Sequence, residues 1–156
     1  MFRQMRRKKQ ALSKEECEKI LQQGTSGVLA VAGDDDYPYA VPMSYVFCEN
    51  KIYFHCAKSG HKLDAVARNE KVSFCVIGED CIVPEEYTTH YKSVIVFGKI
   101  RILNDDTEKR TAIEKLSVKY SPNATKASMQ KEIEKNWKLL CMLEMTIDHI
   151  SGKKHK

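Results

Sequence analysis

At 156 residues, with 42% hydrophobic residues, 30% charged residues and a formal charge of +5, the chain has the size and composition of one globular domain, able to bury roughly two-thirds of its unfolded surface around a single core. No apolar run approaches the roughly 20 residues of a bilayer span, and no apolar stretch follows the basic opening MFRQMRRKKQ as it would in a secretory signal, so a cytoplasmic protein without membrane contact is expected. Six cysteines (Cys17, Cys48, Cys56, Cys75, Cys81, Cys141) contain no C-x-x-C pair and read as reduced thiols packed as small hydrophobes, with no metal site.

Arg3, Arg6, Arg7, Lys8 and Lys9 crowd the opening arm, read as residues 1–12. It is a solvated tail, a strap over a partner subunit or a nucleic-acid contact; no stacking aromatics alternate with the charges, which disfavours the last. SKEE at 13–16 has capping-box spacing, and Cys17, Ile20 and Leu21 share one helical face until Gly24. The period then becomes extended. GVLAVAG, YAVPMSYVF and KIYFHCA read as three strands of a meander, the last two joined by a tight turn at Glu49-Asn50.

HKLDAVARN returns to helical spacing through Leu63, Val66 and Ala67, and KVSFCVIG to a strand. EDCIVPEEYTTHYK has no period and is expected to wander; SVIVFGKIRIL is a long strand with a bend or bulge at Gly98. Two helices follow, one opening on acidic residues and halting before Pro122, the other over 127–136. The final strand, LLCMLEMTIDHI, ends the folded domain at about residue 150, and 151–156 reads as a basic, mobile end. Strands in runs, without regular strand–helix alternation, argue against a doubly wound parallel sheet and for a mainly β fold, a small closed antiparallel barrel with peripheral helices.

The chemistry-bearing stretch is the elbow between the third strand and the helix after it. Ser59, Gly60, His61 and Lys62 combine a glycine, free amides at a helix start and a cation, the groups that hold a phosphate dianion. On spacing alone an ordinary solvated Ser-Gly turn is the commoner reading. The elbow lacks the G-x-x-x-x-G-K frame of a nucleotide triphosphatase. His55, one register away, is either a structural residue or the best-placed proton donor of the region; His90 has less local support, and Ser44 and Ser93 lack a serine-hydrolase setting.

GVLAVAGDDDYPYAVPMSYVF, KIYFHCAKSGHKLDA, VSFCVIGEDCIVPEEYTT and SVIVFGK, in that order within residues 1–122, resemble the pyridoxamine-phosphate-oxidase-like superfamily of FMN-binding split barrels, and within it the Nim proteins associated with 5-nitroimidazole resistance. The resemblance implies a split antiparallel barrel over 13–150, an obligate homodimer, and FMN in a groove at the subunit interface, with FAD the alternative flavin. Position by position, it places flavin contacts on Val41, Pro42, Met43 and Ser44, sets His55 and Cys56 beside the cofactor, and gives phosphate binding to the elbow Ser59–Gly60–His61–Lys62. It adds Ser93 as a polar contact and makes His55 the candidate catalytic residue facing the substrate.

True pyridoxamine phosphate oxidases carry an Arg-Lys phosphate pair and an Arg/His-containing C-terminal segment; here the pair is His-Lys and the chain closes on ISGKKHK, so vitamin B6 oxidation is not expected. The implied function is an FMN-dependent oxidoreductase reducing a small nitroaromatic or another electron acceptor, with no nucleic-acid partner. The alternative is a flavin- or haem-sequestering barrel without turnover.

Overall fold

The computed structural model describes residues 1–155. Ser13 caps α1 (Lys14–Gln23) with the reciprocal bonds of a capping box: its Oγ accepts from the Glu16 N–H at 3.1 Å, and Glu16 Oε1 accepts from the Ser13 N–H at 3.3 Å. β1 (Ser26–Ala32) and β2 (Pro38–Ser44) form a hairpin around the acidic turn Asp34–Asp36, and β3 (Val46–Cys48) and β4 (Lys51–Ala57) form another. Glu49 and Asn50 both take positive φ there, as a tight hairpin turn requires. After α2 (His61–Arg68) come the long strands β5 (Lys71–Val83) and β6 (Thr88–Ile102), the helices α3 (Asp106–Tyr120) and α4 (Lys126–Asn136), and β7 (Leu140–His155).

All ladders are antiparallel, in the order β2-β1-β5-β6-β7-β4-β3. The expected three-strand meander is therefore replaced by two hairpins on opposite edges of the sheet. β2 and β3 are nevertheless consecutive in the chain, separated by Tyr45 alone. One residue spans no more than about 7 Å between its neighbours' Cα atoms, so the sheet must curl until its two edges meet. The result is a split antiparallel barrel: the ladder stays open between β2 and β3, where a closed one was expected from the strand pattern. Leu29, Phe54, Phe74, Val76, Val94, Val96, Leu143 and Met145 fill its interior, with Phe74 edge-on to Tyr45 and Phe54 at 4.9 and 5.1 Å.

The seam at Tyr45 is held by α1 and the last turn of α3. The fully buried Tyr45 ring donates its hydroxyl to the Leu21 carbonyl at 2.6 Å, while the Tyr120 hydroxyl accepts from the Tyr45 N–H at 3.0 Å. Lys119 Nζ donates to the Tyr45 carbonyl at 3.0 Å and also to the carbonyl of Gly24, and Tyr120 shares its proton between the Tyr45 and Thr25 carbonyls. Burial lowers the Lys119 pKa. Gly24 is needed here for close approach: a Cβ would run into the Tyr45 hydroxyl.

Two further expectations are corrected. Residues 79–92 do not wander: β5 continues to Val83 and β6 starts at Thr88, with a short turn at Pro84–Glu86 and Tyr87 at φ 51°. A bulge at Gly78 moves the register, and beyond it both faces of β5 are largely exposed, so neither face left an apolar alternation in the sequence. Ser151–His155 is likewise no mobile end but the last part of β7, laddered to Tyr91–Ile95 of β6; Lys156 lies outside the described residues. The basic arm turns at Lys8–Gln10, Ala11 bridges Lys153, and the Phe2 ring stacks on His149 and Phe97 at 4.8 and 5.3 Å, so the arm lies on its own sheet. The bulge expected at Gly98 is present, between Phe97 and Gly98.

Replacing Tyr120 with Phe leaves the Tyr45 N–H without an acceptor at the seam. A loss of about 1–3 kcal/mol is expected, read as a lower urea midpoint at unchanged slope; an unshifted midpoint would show that the seam does not need this bond.

Candidate functional site

β2 is an edge strand, bonded to β1 on one side only, so its far edge presents free backbone N–H and C=O groups. Along it, Val41 and Met43 face the core while Pro42 and Ser44 face outward, exposed. Proline is tolerated here because an edge strand need not donate on its open side. Across the seam, β4 alternates the other way: Ile52, Phe54 and Cys56 point into the barrel, Tyr53 lies under α3, and His55 is exposed on the outer face.

Beyond β4 the elbow has the backbone that only glycine adopts readily. Gly60 sits at φ 143°, and the space where a Cβ would point is empty within 4 Å. No side chain caps α2 at Gly60, which leaves amides of its first turn without an intrahelical or side-chain acceptor. Neither Ser59 nor Gly60 covers them.

The basic pair after Gly60 divides. Lys62 is half-buried and directs Nζ at Met43 Sδ, 3.5 Å away, with no carboxylate in ion-pair distance among the described residues. His61 turns the other way: its ring stacks on Tyr39 at 4.2 Å, and Nε2 accepts from the Asp34 N–H at 3.4 Å and lies 3.7 Å from Asp34 Oδ2. Arg68 holds the other carboxylate oxygen of Asp34 at 3.0 Å. A neutral thioether is a poor partner for an ammonium group. Lys62 is therefore the cation of this elbow that stands ready for an anion, whereas His61 braces the turn between β1 and β2.

Cys56 and Cys141 face each other in the β4–β7 ladder, and both are free thiols. Burial pushes the Cys56 thiol up to about 12, the neighbouring Cys141 adds to this, and Lys62 pulls weakly the other way. A thiol held so far from its anion is a poor nucleophile at neutral pH.

Val41–Ser44, His55, Cys56 and Lys62 therefore gather where β2 meets β4, with Ser59 and Gly60 just beyond the end of β4, while His61 faces the turn between β1 and β2. Ser93 does not join them. It pairs with Ile77 and with Lys153 of β7, whereas β4 meets β7 near Leu140, at the other end of that strand.

A cleft of about 680 Å³ opens beside the seam, with Ser44, His55, Cys56 and Ala57 on one wall and residues of α3 and α4 on the other. Its helical wall, including Leu116, Ser117, Met129, Glu132 and Asn136, escaped the sequence reading. No motif marks these positions; the one available signal was Met129 and Ile133 at i, i+4 spacing on a helix too polar to be core.

Residues 13–154 match the family model described as pyridoxamine 5′-phosphate oxidase. The chain belongs to this family. Its fold is shared with a candidate 5-nitroimidazole antibiotic resistance protein of Bacteroides thetaiotaomicron (21% identity, 92% of this chain and 86% of that one, TM-score 0.78). It is shared too with an FAD-binding protein of Mesorhizobium loti (24% identity, 94% and 97% covered, TM-score 0.66) and with an FAD and haem binding protein of Mycobacterium smegmatis (19% identity, 96% and 74% covered, TM-score 0.73). An uncharacterised protein of Rhizobium meliloti (strain 1021) is 32% identical over 94 residues, 59% of this chain and 56% of that protein's length, so the match spans about half of that relative. In this member of the family, no helix among the described residues is long and apolar enough to cross a membrane.

Alkylation with a small iodoacetamide probe checks the thiol assignments. Exposed Cys81 is expected to react first. Modification of Cys56 should accelerate about tenfold per pH unit from 7 to beyond 10, because its thiolate fraction is still rising there, while an ordinary thiol levels off above about pH 9. Peptide mass spectrometry reads both; a Cys56 rate that levels off near pH 9 would contradict the raised pKa.

Proposed function

We propose that this chain is a flavin-dependent oxidoreductase that holds FMN at the elbow and seam and reduces small nitroaromatic acceptors such as 5-nitroimidazoles. The observation that carries the proposal is the half-buried Lys62 ammonium without a carboxylate partner, set beside the uncapped start of α2 in a member of the pyridoxamine 5′-phosphate oxidase family. The donor set suits a phosphate: an ammonium supplies charge, amides supply directed hydrogen bonds, and Gly60 leaves the approach open. That open approach also admits the longer tail of FAD.

Lys62 and the α2 amides would bind the phosphate, and the free edge of β2 from Val41 to Ser44 would bond the polar rim of the ring. Cys56 would pack beside it as a neutral, oxidation-resistant group. Bound flavin supplies the electron transfer from a reduced donor to the acceptor. His55 is exposed on the cleft wall next to Ser44, where it would orient the acceptor and deliver a proton to the reduced nitro group. This location keeps its ring at the solvent edge, with access to protons.

A second copy of the chain completes the proposal. Val28, Cys75 and Ile95 stand side by side in the ladder, and Val28, Ile77, Ile95 and Phe97 remain 38–67% exposed on the outward face of the sheet. Such an apolar row calls for cover. Ser93 shares that face two residues from Ile95, so a homodimer formed there would carry the partner's copy of this serine into the interface.

The purified protein is expected to show the visible absorption of bound flavin, identified by mass after acid release. Lys62→Glu should weaken FMN binding at least about tenfold through loss of a charge-assisted contact and gain of repulsion. His55→Ala should retain FMN while slowing amine formation from a 5-nitroimidazole in the presence of a reduced donor. Colourless protein that takes up no FMN would overturn the flavin reading, and stoichiometric flavin without reduction of any acceptor would leave a binding protein in its place.

A further inference from the structure

We propose that the cleft between β4 and the α3–α4 pair is the acceptor pocket, and that Glu132 makes it select neutral or cationic aromatic molecules over anionic ones. The acceptor role rests on the flavin reading above; the binding and its charge preference do not. Its volume of about 680 Å³ falls within the range of small-molecule sites. Leu116, Met129, Ile133 and Leu140 supply apolar wall, and the Met129 thioether suits the edge of an aromatic ring.

No lysine or arginine lines this cleft among the described residues; its single carboxylate is Glu132. Asn136 Nδ2 donates to Glu132 Oε1 at 3.1 Å and to the Glu132 backbone carbonyl at 3.0 Å, which holds that side chain against α4. Glu132 is exposed at the cleft rim, and neither Lys131 nor Lys135, its neighbours along α4, lies in ion-pair distance of it. The carboxylate is therefore placed but not neutralised.

α4 itself is well positioned. Thr125 caps it by accepting from the Ser128 N–H at 3.1 Å. Gln130 bridges it to α3, accepting from Arg110 at 2.6 Å and donating to Glu114 at 3.0 Å. The buried Ile133 anchors its inner face. A charge on a fixed helix at the rim of an apolar cleft discriminates ligands by sign, more so at low salt.

Isothermal titration calorimetry reads occupancy, because Trp137, the sole tryptophan, packs against Lys109 and Arg110 outside this cleft. Three probes of similar size share a nitrophenyl ring and carry charges of +1, 0 and −1: 4-nitrobenzylammonium, 4-nitrobenzyl alcohol and 4-nitrobenzoate. Titrated into flavin-free and FMN-loaded protein at low ionic strength, the cation is expected to bind about threefold to tenfold more tightly than the benzoate, with the alcohol between them. Glu132→Gln should level the series and Glu132→Lys reverse it, with helical content checked by circular dichroism. Equal affinities in the wild-type chain, or an order unchanged in Glu132→Lys, would overturn the proposal. Charge selection in a protein that takes up no FMN would overturn the flavin reading while this pocket stands.

Discussion

The fold depends on one short covalent link. Tyr45 joins two strands that occupy opposite ends of the hydrogen-bonded order, and the chain is too short there for the sheet to remain flat. Curling costs backbone groups their partners at the split, and the structure restores them at Tyr45 itself. Its N–H meets the Tyr120 hydroxyl, its carbonyl receives Lys119 and Tyr120, and its phenol reaches the Leu21 carbonyl. A buried amide without a partner would cost more than any of these bonds contributes singly, which explains why two helices converge on one residue.

The same link builds the candidate site. By bringing the end of β2 against β4, it places Ser44 beside His55 and Met43 within reach of Lys62. The last turn of α3, which clamps the seam through Lys119 and Tyr120, also supplies Ser117 and Tyr120 to the cleft. Stability and site geometry thus share residues, so a change that loosens the seam also moves the cleft wall.

The elbow shows how a local sequence pattern can be right about a place and incomplete about its groups. Four small or basic residues in a row read as one cluster, yet the helix start sends His61 and Lys62 in different directions, one to Tyr39 and Asp34 and the other to Met43. Successive side chains on a helix point about 100° apart, so both could not face a single ligand through their side chains. Only the backbone and Lys62 converge.

The sequence by itself determined the local elements and the general architecture. The Ser13–Glu16 box, the tight turn at Glu49-Asn50, the bulge at Gly98 and the helix after Gly60 are all written in capping, turn and periodicity signals that act over a few residues. The order of four matched segments was enough to mark the family. What only the tertiary structure decided was pairing: two edge hairpins in place of a meander, strands through residues 79–83, 88–92 and 151–155 where little apolar alternation exists, and the helical wall of the cleft with Glu132 on it. Those features arise from backbone hydrogen bonds and contacts between distant segments, which are indifferent to side-chain period and so leave no local trace.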